Sequence, residues 1–321
     1  MKFLFLRGQV PQDRNPKEIV FDSIDECDDM WTQLAFEMSK HFDETELWYW
    51  GGTREKMFSS TFIERWIPSF KTHNTDFVPD VIMCRGGFKE YHDVLERYPN
   101  AYKIYYGAGR RYLPQPGFHD YDLILQDNIE QLKESQTKFP KSKSILYIKP
   151  AADNIFYPHE ITQEYDICFP ANGAQTFKGH SFVYQSIPKD FSLLNLGNKS
   201  KLRPPSNAIQ KRVLRTNMAK NISRCRVGIV AVSSAIDSCP RVIPEMLACN
   251  IPIVVMKNVR FWHEKYIIPG ITGEIATKEN FWETVQHVLE NRIQYQPYKY
   301  YKENLSLDHA ANYIIDQITI L

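Results

Sequence analysis

The chain has 321 residues, 43% of them hydrophobic and 24% charged, with a formal net charge of +1. That length fits two domains of roughly 150 residues each better than one. The composition is that of a soluble globular protein, and no stretch reaches the ~18 uninterrupted apolar residues of a membrane span.

The opening MKFLFLRGQ has only a short apolar run after Lys2. A secretory signal needs a longer core, so Lys2–Leu6 reads as a first strand. The six cysteines, Cys27, Cys84, Cys168, Cys225, Cys239 and Cys249, are scattered with no C-x-x-C pair. They read as reduced thiols, mostly core, in a cytosolic protein. The expected location is cytoplasmic or peripheral at a membrane; the first half shows no basic amphipathic helix. The net charge hides an asymmetry. Residues 1–160 sum to −5 and residues 161–321 to +6, so the second half is the one equipped to attract an anion.

Arg7–Gly8–Gln9 follow the first strand as a loop, where glycine lets backbone approach a ligand closely. Asp22–His41 has helical spacing through Met30, Trp31, Leu34 and Met38. Leu47–Trp50 is a second strand. Phe62, Trp66 and Phe70 recur every fourth position, which predicts a helix within residues 53–78 and a core role for the aromatics. Strands follow at Asp80–Cys84, Lys103–Tyr106, Leu123–Leu125 and Ile145–Ile148, with helical patterns at Tyr91–Arg97 and Asn128–Lys138. Such alternation indicates βαβ units and a parallel sheet, which binds ligands off the carboxyl ends of its strands. Gly8, Gly86–Gly87 and Gly107–Gly109 sit at those ends, and Arg85, Arg110 and Arg111 beside them are candidate anion contacts.

Pro150–His159 reads as an interdomain linker, and a second alternating series begins after it. Its strands are Tyr165–Phe169, Phe191–Leu196, Val227–Val232, Ile253–Val255 and Ile271–Ile275. Its helices are Gly179–Ile187, a basic helix Asn207–Ser223, Glu279–Asn291 and the final Asp308–Leu321. Residues 292–304 lack periodicity.

The second series is organised around Asp237–Met256: a loop, a short helix and a buried strand. Asp237 precedes the helix and Glu245 lies within it. Asn250 stops the helix, since Asn tolerates the left-handed conformation of a helix end. Two carboxylates so placed suit a polyhydroxylated ligand, because ionised carboxylates accept hydrogen bonds from hydroxyls. No G-x-G-x-x-G, Walker A, H-E-x-x-H or G-x-S-x-G pattern occurs, and the histidines show no metal-ligand spacing.

This stretch resembles the GT-B glycosyltransferases, in particular retaining family 4. Asp237, seven residues, Glu245 and then MLACNIPIVV are similar to that family's carboxylate, seven residues, Glu and small-residue helix-to-strand segment. Glu264 to Ala276 resembles a downstream segment, with Gly273 as its glycine. Asp153, Phe156 and Pro158 match the interdomain segment, and Lys178–Gly179 matches a loop after the first strand of the second domain. The likeness covers roughly residues 145–290 and is architectural before that.

The resemblance implies an α/β GT-B fold, two Rossmann-like parallel-sheet domains facing an interdomain cleft. Residues 1–150 would form the acceptor domain, 151–304 the nucleotide-sugar donor domain, and 305–321 a helix packing across both. It implies a metal-independent retaining hexosyltransferase of polysaccharide biosynthesis. The donor would be a UDP-sugar, or a GDP- or ADP-sugar, and the acceptor a glycan or lipid-linked saccharide. Glu245 would hold ribose hydroxyls, Asp237 the donor sugar, and Lys178 the diphosphate. Amides from Ser238 and Cys239 to Val242 would face the phosphates, with Asn172, Gly173, Arg241 and Gly8 also on the donor, and Arg85, Gly86, Arg110 and Arg111 on the acceptor side. Some residues depart from the pattern. Asp237 stands where Glu is usual. Pro240 stands where Gly is common and cannot donate. Asn172 and Gly173 replace an Arg before the Lys, for which Arg241 is the candidate substitute, and Gly107–Ala108–Gly109 occupy the region of the family's first-domain His.

Two other functions compete. Residues 199–226 carry nine Lys and Arg and no acidic residue, which would suit a glycosyltransferase tracking DNA phosphates to modified bases. The missing Arg would suit a catalytically inactive glycosyltransferase-like binding protein.

Overall fold

The computed structural model describes residues 1–8, 23–27, 29–52, 55–107, 120–173, 178–232, 240–257 and 262–318. The chain divides into two compact units, residues 1–148 with 310–321, and residues 149–309.

The first unit holds strands β1 (Lys2–Arg7), β2 (Glu44–Trp50), β3 (Glu55–Ser59), β4 (Phe62–Ile67), β5 (Val81–Arg85), β6 (Tyr102–Tyr106), β7 (Leu123–Gln126) and β8 (Lys143–Leu146). Helices α1 (Met30–Ser39), α2 (His92–Arg97) and α3 (Ile129–Lys138) lie between them. The sheet order is β3-β4-β2-β1-β5-β6-β7-β8, parallel throughout except for the antiparallel edge pair β3–β4. Central strands such as β1 and β5 are buried on both faces, as parallel strands covered by helices are. Two helices start on side-chain caps: the Asp29 carboxylate accepts from Thr32 N–H, and the Asn128 side chain from Gln131 N–H.

The helix expected within residues 53–78 is instead the β3–β4 hairpin. A repeat of four is also twice the strand repeat of two, so Phe62, Glu64 and Trp66 alternate onto the buried face of β4. The aromatics are core as expected, with Phe62, Trp66 and Phe70 all buried. The helix expected from Asp22 begins at Met30, after a 3-10 turn at Ile24–Glu26.

The second unit holds β9 (Tyr165–Phe169), β10 (Leu193–Leu196), β11 (Ala208–Lys211), β12 (Cys225–Val230), β13 (Ile253–Met256) and β14 (Gly273–Ala276). Its helices are α4 (His180–Ser186), α5 (Met218–Ser223), α6 (Val242–Ala248), α7 (His263–Tyr266), α8 (Phe281–Glu290), α9 (Pro297–Asn304) and the start of α10 (Leu307–Ile315). All its strand pairs are parallel, in the order β11-β10-β9-β12-β13-β14. This is the dinucleotide-binding order, which reverses between β9 and β12 and opens a crevice at their carboxyl ends.

One expectation fails here. The basic helix Asn207–Ser223 is a strand, a turn and a six-residue helix. As an edge strand, β11 needs no fully buried face, so its alternation is weak in the sequence. Residues 292–304, without apolar periodicity, contain α9. Its buried stripe is Pro297 and Tyr301, and the Tyr301 hydroxyl donates to Asp153 while accepting from Ala151 N–H. A stripe with a polar tip escapes an apolar count. The five described cysteines are all buried free thiols; Cys239 lies outside the described residues.

Candidate functional site

The crevice of the second unit is built from loops that only glycine can make. After β9 the chain runs through Pro170, Ala171 and Asn172 to Gly173. Gly173 N–H donates to the Asn198 carbonyl at 3.0 Å. A Cβ at this position would come within 2.3 Å of Ser200 N, so Asn172 and Gly173 are pressed onto the loop that follows β10. Gly179 caps α4 at φ 84°, in the left-handed region, and a Cβ there would lie 2.1 Å from the Ala231 carbonyl oxygen. That close approach brings half-buried Lys178 to the carboxyl end of β12. A small pocket results, lined by Ala171, Lys178, Ala231, Val232, Pro240 and Val242. It lies where the strand order reverses.

The helix α6 carries Glu245 from the edge of this pocket into the unit. It ends in a Schellman motif: Ile251 N–H donates to the Met246 carbonyl and Asn250 N–H to the Leu247 carbonyl, with Asn250 at φ 60°. The expected role of Asn250 is thus met. At its start, Ile243 N–H is taken by the Pro240 carbonyl at 3.0 Å and Glu245 N–H by the Arg241 carbonyl at 3.3 Å. Pro240 and Pro244 have none to give. Arg241 and Val242 are therefore the described residues whose amides remain for an anion at this end. The Arg241 side chain is exposed. Asp237, Ser238 and Cys239 lie outside the described residues.

Glu245 is buried, and its Oε1 accepts from Nη1 of Arg215 at 3.0 Å. No other hydrogen bond to its carboxylate occurs among the described residues. Arg215 comes from the 3-10 turn before α5, and its guanidinium lies 5.1 Å from the ring centroid of buried Phe156. Phe156, from the interdomain motif, is thus the floor under the cation that holds Glu245. Sequence reasoning missed Arg215 as a site residue; the signal was the basic run itself. The same run is partly neutralised, since Arg224 pairs with Glu164 and Arg226 with Asp166.

Among the described residues no group of three or more His, Cys, Asp or Glu is arranged to hold a metal ion. His180 and His263 are both buried. His180 packs between Phe169 and Tyr184, and burial pulls its pKa below the ordinary histidine value.

In the first unit, Gly8 follows β1 so closely under Phe88 that a Cβ would meet its ring at 2.6 Å. Gly86 follows β5 at φ 81°, with its N–H on the Tyr106 carbonyl at 2.9 Å. Arg85 ends β5 beside Arg7 at the end of β1. Arg7 donates to Asp29 and to the Tyr49 hydroxyl, a cluster sequence reasoning did not single out. Arg110 and Arg111 lie outside the described residues.

No protein-family model matches the chain. Among curated proteins, a stretch of 59 residues is 32% identical to the guanylate kinase of Buchnera aphidicola subsp. Acyrthosiphon pisum; it takes in 18% of this chain and 28% of that protein. Solved structures match over the full length. A glycosyltransferase from Rickettsia africae superposes with a TM-score of 0.68 at 12% identity, covering 98% of this chain and 97% of that one. Sucrose-phosphate synthase from Thermosynechococcus elongatus gives 0.65 at 10% identity, with coverage of 98% and 97%. Anabaena HepE, in complex with UDP, gives 0.65 at 10% identity, with coverage of 100% of both chains. Two Rossmann-like parallel-sheet units in one chain, matched end to end by glycosyltransferase structures, establish that this protein has the GT-B fold.

Proposed function

We propose that this protein is a glycosyltransferase that moves a hexose from a nucleotide-sugar to a saccharide acceptor with retention at the anomeric carbon. One observation carries the reading. The pocket at the strand-order reversal of the second unit has Lys178 on one side and the start of α6 on the other, and three residues into that helix is a buried carboxylate gripped by Arg215. A crevice at such a reversal is where open α/β sheets take ligands, and a cation in it meets a diphosphate.

In this reading Glu245 accepts hydrogen bonds from the ribose hydroxyls through the carboxylate that Arg215 orients. Lys178 and the Arg241 and Val242 amides face the diphosphate. Asp237 holds hydroxyls of the donor sugar. The bond from the anomeric carbon to the phosphate oxygen breaks as the Lys178 ammonium offsets the charge left on the diphosphate. The acceptor oxygen bonds to the same face of that carbon, and its proton passes to the departing phosphate oxygen. No metal enters this scheme. A UDP-sugar is the favoured donor, because the fold relative HepE is known bound to UDP, to UDP with glucose and to UDP-glucose. The acceptor is a glycan or lipid-linked saccharide received by the first unit.

A thermal-shift screen of UDP-, GDP- and ADP-sugars tests the reading, since a ligand of the native state raises its melting temperature. The expected result is a shift with one nucleotide series, its loss in Glu245→Ala, and slow donor hydrolysis by the wild type. If no donor is turned over and Glu245→Ala binds nucleotide as the wild type does, the transferase reading fails.

A further inference from the structure

At the carboxyl edge of the first sheet stands a cation, Arg85, to which no carboxylate is hydrogen-bonded among the described residues; Asp29 acts on it through space. Arg7 and Arg85 are register partners on the adjacent parallel strands β1 and β5, so their side chains leave the sheet on the same face. Asp29 is committed elsewhere. It takes Arg7, the Thr32 hydroxyl at 2.8 Å and the Thr32 N–H at 3.0 Å as the cap of α1. Glu64 acts on Arg7 from farther off. Arg85 makes no side-chain hydrogen bond among the described residues, and its buried Nε has no partner.

Arg85 is held by packing. Its guanidinium lies 4.3 Å from the Trp31 ring centroid. Trp31 meets Tyr106 edge-on at 4.6 Å, and Tyr106 meets Tyr147 at 3.9 Å. Aromatic faces fix a guanidinium plane but give it no hydrogen-bond acceptor along its edge. Burial first, and then the Arg7 guanidinium, lower the Arg85 pKa to about 10, with Asp29 offsetting part of this. Arg85 is therefore cationic at neutral pH, under-neutralised and only half-buried as a residue. A buried donor left unmade costs free energy that a matching acceptor recovers. The group that matches a guanidinium edge is an oxyanion, taken through two parallel N–H bonds.

We propose that Arg85, stiffened by Trp31 and backed by Arg7, is a subsite for an oxyanion on the acceptor, so that the acceptor is a phosphorylated or carboxylated saccharide and not a neutral one. The step to "acceptor" rests on the reading that the first unit receives that substrate; the anion subsite itself rests on Arg85 alone.

The test uses the full-length protein with glucose 6-phosphate, glucuronic acid and glucose as probes, each titrated with and without saturating UDP. One or both anionic sugars are expected to raise the melting temperature where glucose does not, and to do so equally with UDP bound. The stronger of the two identifies phosphate ester or carboxylate as the group read. Arg85→Gln is expected to weaken that response about tenfold or more, and Arg85→Lys to recover only part, since a point charge lacks the fork. UDP binding serves as the fold control in each variant. Anionic sugars no better than glucose, in wild-type protein that still binds UDP, overturn the proposal whatever the variants do. So does displacement of the anionic sugar by UDP, which would place it in the donor site. Failure of UDP to bind at all, with the anion response intact, counts against the transferase reading and leaves this subsite standing.

Discussion

The contact between Arg215 and Glu245 allows a quantitative test of how the candidate pocket is organised. The Glu245 side chain is 6% exposed and that of Arg215 26%, with one N–H···O bond of 3.0 Å between them. An exposed pair contributes about 0–1 kcal/mol, and breaking a fully buried one costs about 3–5 kcal/mol. This pair is buried at its anionic end only, so Arg215→Met should cost about 2 kcal/mol, the scale of a hydrogen bond to a charged group. Met retains an apolar stem over Phe156, which limits the loss of packing. Glu245→Gln keeps an acceptor at Oε1 but not the charge, and about 1 kcal/mol is expected. If Arg215 acts on nucleotide only by orienting Glu245, the two substitutions must not add. Each should weaken UDP about tenfold, or about 1.4 kcal/mol, and the double variant should be no weaker than the worse single one. UDP titration calorimetry of the four proteins, with urea unfolding as the stability control, reads the coupling directly. Additive losses in UDP binding would refute the reasoning and make Arg215 a nucleotide contact in its own right.

Three further outcomes are expected. Gly179→Ala places a Cβ 2.1 Å from the Ala231 carbonyl at a φ that L residues disfavour by about 1–2 kcal/mol, so it should lower the melting temperature and weaken nucleotide-sugar binding through displaced Lys178. Burial pushes the Asp29 carboxyl up, but the Arg7 guanidinium and the Thr32 hydrogen bonds more than offset it and hold its pKa down at about 2 against an ordinary 3.8. Its contribution is present above pH 3.8 and lost as pH falls toward 2, so Asp29→Asn should lose about 2 kcal/mol of stability to urea at pH 7 and show a flatter acid limb. For His180, burial lowers the pKa below 6.5, so the unfolded chain takes up the proton first and stability falls as pH drops below 6.5. His180→Phe, which fills the slot between Phe169 and Tyr184, should flatten the melting-temperature slope between pH 7 and 5.

Much of this was legible in the sequence, and the reason differs from part to part. Five of the six strands of the second sheet were readable as short apolar runs, β11 being the exception, and Asn250 marks the end of α6 by its own backbone preference. Lys178–Gly179 and Glu245 were singled out through the resemblance to a family pattern, and the fold puts Lys178 on the pocket wall and Glu245 three residues into α6. The β3–β4 hairpin was not, because a repeat of four satisfies both a helix and a strand. The helix α9 was not, because Tyr301 buries a ring while keeping a hydroxyl for Asp153. Arg215 was not, because thirty residues separate it from Glu245 and only the fold brings the two together.

Charge shows the same limit more sharply. The half-chain sum of −5 for residues 1–160 argued that the first half was not equipped to meet an anion. A sum over a half-chain averages over distances much longer than the roughly 10 Å at which salt screens exposed charge. What a ligand meets is the local balance. Among the described residues, that balance at the carboxyl ends of β1 and β5 is two guanidiniums against Asp29, with Glu64 acting on Arg7, beside Trp31 and Tyr49 where screening is weak. The acidic residues of the half that have described partners lie largely elsewhere: Asp43 at the chain start, Glu55 with Arg65, Glu134 with Lys138. Of the described acidic residues, Asp29 and Glu64 are the ones that act on this pair of arginines. A domain that is acidic overall can therefore present a cationic edge, provided the fold and not the sequence order decides which charges are neighbours.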